Sequence, residues 1–301
     1  MMLMNMNPKA REERLYADVL FLTELRPFRN YLNLDSLAKV VSRIKTVFTI
    51  AELIVQEQTW IADGREYTNV IGIYNPGRSK TLVVGAHYDV CGDQPGADDN
   101  ASAVAGLLET ARLLGTHKPD LDYTIELVAY CLEEPPFFGS TEMGSYVHAA
   151  SLHKQETQVL GMICYEMIGY FSDVPGSQPF PSPELAEIYP DTGNFIMTVG
   201  IERYHDFNQL VCRLMQEAAD IPVYNISFPE NNGLASLAGM SDQRNYWKFG
   251  YPALMINDTS FVRNPNYHQT TDSIDTLDFE KMTEVVSGAY HAIANLSLEQ
   301  H

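Results

Sequence analysis

Residues 81–114 read TLVVGAHYDVCGDQPGADDNASAVAGLLETARLL, and their pattern decides the fold. The run T-L-V-V-G-A is apolar and rich in β-branched residues, and it closes on His87, Tyr88 and Asp89, so it reads as a buried strand whose C-terminal tip carries polar groups. After a loop, apolar residues recur at helical spacing from Ala101 to Leu114. Asp99 is thereby expected near a helix start, where a carboxylate is electrostatically favoured. A strand-tip histidine beside a helix-start acid can grip a metal ion.

The same unit recurs downstream. T-I-E-L-V-A-Y-C-L reads as a second buried strand and ends in Glu133 and Glu134. A helix from about Thr141 leads to G-M-I-C-Y, a third strand with Glu166 at its end. Strand, helix, strand implies right-handed parallel crossovers, which bring the strand tips to one edge of a sheet, where such folds bind ligands. Further strands are expected at F-I-M-T-V-G and P-A-L-M-I-N-D, the latter leading into a loop with His268. Upstream, helices are expected over about 9–25 and 34–47, then a hairpin of 52–61 and 68–74 turned at the Asp63-Gly64 step. A last helix is expected over about 278–296.

The 301 residues contain no linker-like tract, charge block or internal repeat, so a single domain over 1–301 is expected, with residues 1–50 as its helical N-terminal part and the Pro-rich 174–194 as a surface loop or lid. Side-chain preference is left to the loops 174–194 and 225–247. A net charge of −19, from 39 acids against 20 bases, argues against nucleic acid, which needs a basic face. It suits divalent cations and substrates with a free amine, although it also serves solubility. Four dispersed cysteines, without a C-x-x-C, fit a reducing compartment. With no signal-peptide core and no stretch of membrane-spanning length, a cytoplasmic protein without a membrane partner is expected.

Two histidines (His87, His268) and four acids (Asp99, Glu133, Glu134, Glu166) thus fall on strand ends or adjoining loops. A lone histidine is more often structural than a ligand, and a lone E-E pair is more often a solvated face. Their convergence points to a site. Nitrogen and oxygen donors without thiolate suit zinc, or else cobalt or manganese, and the wealth of carboxylates suits a pair of ions sharing a bridging acid. A two-metal site generates hydroxide at neutral pH, and one carboxylate beyond the ligands then serves as general base; the adjacent acids at 133 and 134 can divide those roles. His117, His148, His153, His205, His291 and His301 have no acid at ligand spacing and read as structural or exposed.

H-Y-D, G-A-D-D-N-A-S, E-E-P-P-F-F-G-S, Y-E-M-I-G-Y and Y-H-Q-T-T-D-S-I-D-T-L-D, in that order between Thr81 and Asp278, resemble the motifs of the co-catalytic zinc exopeptidases. That family includes the bacterial leucyl-type aminopeptidases, and glutamate carboxypeptidases and glutaminyl cyclases share its fold. The resemblance implies an α/β fold, a three-layer αβα sandwich around a central mixed, largely parallel sheet. It also implies two zinc ions and hydrolysis of the N-terminal bond of a peptide with a free N-terminus through a metal-bridged hydroxide. Carried over, His87 binds the first ion, Asp99 bridges (with Asp98 as the alternative), Glu134 and His268 hold the second ion, and Glu133 is the base. Asp89 resembles the acid that orients the metal-binding histidine. Glu166 stands where better-known relatives have a ligand aspartate, and it is expected to bind the first ion with shifted geometry. In S-D-Q-R-N-Y-W, Gln243 replaces a histidine of the family pattern. Asp242 and Tyr246 are expected to line the substrate pocket and Arg263 to read a substrate carboxylate. The competing readings are a single-zinc, glutaminyl-cyclase-like acyltransferase and a binding module that keeps the fold without catalysis.

Overall fold

The computed structural model describes residues 7–231 and 233–297; His301 lies outside them. The chain opens with α1 (Glu12–Thr23) and α2 (Leu34–Ile50), followed by the hairpin β1 (Ile54–Ala62) and β2 (Arg65–Tyr74). Asp63 and Gly64 both have positive φ, the type I′ geometry that suits the twist of a two-residue hairpin. Next come β3 (Lys80–His87), α3 (Ala103–His117), β4 (Thr124–Tyr130), α4 (Gly144–Lys154) and β5 (Gln158–Tyr165). The remainder is α5 (Pro183–Ile188), β6 (Ile196–Ile201), α6 (His205–Gln216), β7 (Val223–Phe228), α7 (Ala235–Ala238), α8 (Gln243–Trp247), β8 (Ala253–Asn257) and α9 (Phe279–Asn295).

The strands form one eight-stranded sheet in the order β1-β2-β4-β3-β5-β8-β6-β7. At its centre β4, β3, β5 and β8 run parallel, while β1 and β2 join antiparallel on one side and β6 runs antiparallel to β8 on the other. β3 lies between β4 and β5, so the crossovers β3–α3–β4 and β4–α4–β5 travel in opposite directions and, both being right-handed, lie on opposite faces. The point where they diverge is a crevice at the C-terminal strand ends, the usual ligand position in such sheets.

The expected sandwich is observed. One face of the sheet packs with Leu15, Val19, Ile44, Leu107, Leu114, Val211 and Val286 from α1, α2, α3, α6 and α9. The other packs with Ala149, Leu152, Ala238 and Tyr246 from α4, α7 and α8. Among the described residues no helix is long and apolar enough to cross a membrane.

Three local expectations change. The helix after β3 starts later than its periodicity suggests: a single wide turn spans Ala97–Ser102, with Asp99 at φ −101°, ψ 90° and a cis Asp99–Asn100 peptide, and regular helix begins at Ala103. Asp99 therefore stands before the helix, as expected, but one wide turn further from its first regular residue. β7 is a strand inside the region read as loop, because V-Y-N-I-S-F lacks a continuous apolar run and pairs only at the sheet edge, along β6. The 174–194 segment contains α5, capped by the Ser182 hydroxyl accepting from the Leu185 amide, and Phe180, Leu185 and Tyr189 pack on the second core cluster.

Candidate metal centre

His87 ends β3, level with Tyr130 of β4, and the chain beyond β4 delivers Glu133 and Glu134 while Glu166 follows directly on β5. Asp99 comes from the wide turn, and His268, at φ 56°, from the loop after β8, stacked on Tyr267 at 3.8 Å. All six converge. Asp99 lies between the histidines: Oδ1 is 3.4 Å from His87 Nε2 and Oδ2 is 3.1 Å from His268 Nε2. Glu166 Oε2 is 3.4 Å from His87 Nε2, Glu133 Oε2 is 3.8 Å from the same nitrogen, and Glu134 Oε2 is 3.2 Å from His268 Nε2.

Those separations test the fit of zinc. Two donors about 2.0–2.1 Å from one tetrahedral ion are about 3.3–3.4 Å apart. The distances from His87 to Asp99 and Glu166, and from His268 to Asp99 and Glu134, lie close to that. Donor atoms of three trios, His87–Asp99–Glu166, His87–Glu133–Glu134 and Cys91–Glu134–His268, fall within 4.8 Å of one another. Glu134 Oε1 is buried without a hydrogen-bond partner. A buried, unpaired carboxylate oxygen among other acids lacks a counter-charge that a divalent cation supplies.

The electrostatics without a cation agree. Burial raises Glu133 well above the usual carboxylate range, with Glu134 and Glu166 adding to the rise, and pushes Glu134 up to about 8. Burial alone would lower His87, but Glu166 and Glu133 outweigh it and hold the imidazole well above its ordinary value. Burial likewise opposes the Asp99 anion, yet His268 and His87 keep that carboxylate below its ordinary range.

Supporting groups fix these side chains. Asp89 accepts hydrogen bonds from the amides of Glu133 and Glu134 (3.2 and 3.1 Å), and its Oδ1 lies 3.6 Å from His87 Nδ1, whose nearer polar neighbour is the Asp89 carbonyl at 3.2 Å. Ser241 (2.6 Å) and Asn100 (3.1 Å) donate to Glu166 Oε2, and Asp272 accepts from the amides of Asp98 and Asp99. Asp98 points elsewhere and accepts from Gly169 and Asn264. Sequence reading missed Asn100, Ser241 and Asp272, although each stands inside a quoted motif. It also missed Arg29, fully buried, which donates to the carbonyls of Leu22, Tyr88, Pro95 and Gly96 and pins the segment after β3.

The three residues expected at the substrate pocket lie elsewhere. Tyr246 is fully buried, and its hydroxyl meets Tyr130 and His148 at 2.7 Å each. Asp242 is fully buried behind the site, with burial raising it to about 7. Arg263 Nε donates to Gln178 Oε1 and its Nη1 to the carbonyls of Tyr170 and Phe195, so it ties down the 174–194 segment. Gln243 is buried as well, donating to the Ala238 carbonyl. Two histidines read as lacking acid partners have them through the fold: His148 Nε2 is 3.2 Å from Glu126 and His291 Nε2 is 3.3 Å from Glu217.

What does line the cleft over the site is Pro135, Phe138, Met240, Ser260, Phe261 and Tyr267. An adjoining apolar pocket shares Glu166, Met240, Ser260 and Phe261 with it and is walled by Phe180, Leu185, Tyr189, Met197, Val199 and Phe228.

Comparison with known proteins places this arrangement. The chain is 42% identical over 296 residues to the Escherichia coli (strain K12) protein YfbL, covering 95% of this chain and 88% of that protein. It is 26% identical over 235 residues to a probable leucine aminopeptidase of Arthroderma otae, covering 74% of this chain but 55% of that protein's length. Among solved structures, Legionella pneumophila LapA aminopeptidase superposes with a TM-score of 0.74 at 19% identity, over 95% of this chain and 72% of that one. Bacteroides thetaiotaomicron glutaminyl cyclase does so with a TM-score of 0.74 at 19% identity, over 97% and 100%. At that identity the superpositions speak for the fold alone. The family model described as peptidase family M28 matches residues 69–293, well over half of the sequence and every element of the metal centre, and the chain belongs to that family.

Proposed function

We propose that this protein is a dizinc aminopeptidase that removes bulky apolar residues from the N-termini of peptides. The observation that carries the reading is Asp99, whose two oxygens face two histidines, with Glu166 beside His87 and Glu134 beside His268. His87, Asp99 and Glu166 would hold one ion, and Asp99, Glu134 and His268 the other. Zinc bound there would supply Lewis acidity for the scissile carbonyl and for a water that must lose a proton at neutral pH.

The chain's own residues do the rest. Glu133, whose backbone amide donates a hydrogen bond to the Asp89 carboxylate beside the ligands, accepts the proton of the attacking water and returns it to the leaving nitrogen. The acidic cleft favours the substrate's amino end. The adjoining pocket supports a bulky apolar first side chain. The four cysteines are unpaired, which supports a reducing compartment such as the cytoplasm.

The glutaminyl-cyclase-like alternative works with one zinc, whereas here each oxygen of Asp99 faces a histidine that has a second carboxylate beside it, and this favours two. Elemental analysis and release of p-nitroaniline from leucyl, methionyl and phenylalanyl substrates test the reading together. We expect two zinc ions per chain and hydrolysis, with Glu133→Gln keeping its metal and losing about 10²–10⁴-fold in kcat. Retention of more than a tenth of the activity by that variant would remove Glu133 as the base. One zinc with cyclisation of an N-terminal glutaminyl peptide would overturn the aminopeptidase.

A further inference from the structure

The donors considered so far are nitrogen and oxygen, yet a sulfur stands with them. Cys91 lies four residues past His87, and its Sγ, a Glu134 oxygen and a His268 ring nitrogen all fall within 4.8 Å of one another. Glu134, only 4% exposed, uses Oε2 toward His268 and leaves Oε1 buried without a hydrogen-bond partner. Glu134 belongs to the same donor group as the thiol, and an ion held there would supply its unpaired oxygen with a partner.

The backbone around Cys91 is held on both sides. The Val90 amide donates to the Arg29 carbonyl (3.3 Å), and the Asn30 side chain donates to the Gly92 carbonyl (2.7 Å). Cys131, Cys164 and Cys212 are buried and belong to no donor trio among the described residues.

We propose that Cys91 is a sulfur ligand of the ion held by Glu134 and His268, adding a fourth protein donor to the set Asp99, Glu134 and His268. This rests on the two-ion reading above. A thiolate is a soft donor, so the position selects zinc or cadmium over magnesium and manganese and sets it apart from the all-nitrogen-and-oxygen position at His87. Sulfur also gives the ion a spectroscopic marker that no carboxylate or imidazole provides.

The test uses the full chain, stripped with a chelator and reloaded with cobalt(II). We expect two cobalt ions per chain and a near-ultraviolet thiolate-to-cobalt charge-transfer band. That band should vanish in both Cys91→Ser and Cys91→Ala. Zinc should bind one of the two positions in these variants at least about ten-fold more weakly, since loss of even an outer partner of a ligand weakens metal binding by that much. Two cobalt ions without the band in the unaltered chain, or a band that persists in Cys91→Ser, would overturn the proposal and leave the dizinc reading standing. A chain taking up one cobalt would instead break the two-ion reading, and the presence or absence of the band would still decide whether Cys91 binds it.

Discussion

Replacing Arg29 by Met tests whether the N-terminal helices are part of the catalytic architecture. The guanidinium is fully buried and donates four hydrogen bonds of 2.5–3.2 Å to the carbonyls of Leu22, Tyr88, Pro95 and Gly96. Hydrogen bonds to a charged group contribute about 1.5–3 kcal/mol each, so four give roughly 6–12 kcal/mol before opposing terms. Burial lowers the Arg29 pKa from 12.5 to about 10, a penalty on the charged form of about 3 kcal/mol at about 1.4 kcal/mol per unit. That value already includes the opposing pull of Asp272, Asp99, Asp89 and Glu134. Because neighbouring bonds do not add fully, a net loss of about 3–5 kcal/mol is expected, the usual result of breaking a buried charge from its partners. For a chain of this size that lowers the thermal midpoint by about 6–20 °C, read by calorimetry on the metal-loaded protein. Arg29→Lys should recover less than half, since an ammonium keeps the charge but cannot fork to the four carbonyls of Leu22, Tyr88, Pro95 and Gly96. A midpoint for Arg29→Met within about 3 °C of the unaltered protein would refute the argument.

The remaining predictions concern pH, packing and specificity. In chelated protein, Glu134 titrates at about 8 instead of 4.5 and His268 at about 10 instead of 6.5, so between the unfolded and folded values the native chain holds protons that the unfolded chain has lost. Stability of the metal-free chain should therefore fall by a few kcal/mol from about pH 5 to about pH 9, while the metal-loaded chain, whose ions replace those protons, should not follow it. Urea midpoints with and without chelator check this, and a metal-free midpoint that rises with pH would contradict it. Gly85→Ala places a Cβ 2.2 Å from the Tyr130 ring, whose hydroxyl is held by Tyr246, and should lower the urea-derived stability by about 1–3 kcal/mol; an unchanged midpoint would show that the ring can move. Val199→Phe narrows the apolar pocket and should reduce kcat/KM for leucyl and phenylalanyl substrates by roughly ten-fold or more while sparing alanyl ones. Equal losses on all three would place the first side chain elsewhere.

The sequence by itself determined the sheet's central strands and the chemical character of their tips. T-L-V-V-G-A-H, T-I-E-L-V-A-Y and G-M-I-C-Y are buried on both faces, so their apolar runs are continuous, and each ends in a polar group that only a cleft explains. His87, Asp99, Glu133, Glu134, Glu166 and His268 were legible for that reason, and the fold brings all six together.

Tertiary structure alone decided what surrounds them. Tyr246 and Arg263 looked free to meet a substrate because periodicity records spacing along the chain and not its return. Tyr130 lies 116 residues from Tyr246, and Gln178 lies 85 from Arg263. Arg29 reached the site loop from 59 to 67 residues away, and Cys91, an ordinary residue in a loop, gained its carboxylate and imidazole neighbours only when β4 and the 268 loop closed over it. Local pattern specifies which face a side chain takes. Its partner across the site is set by how the elements pack, and no window of sequence contains both.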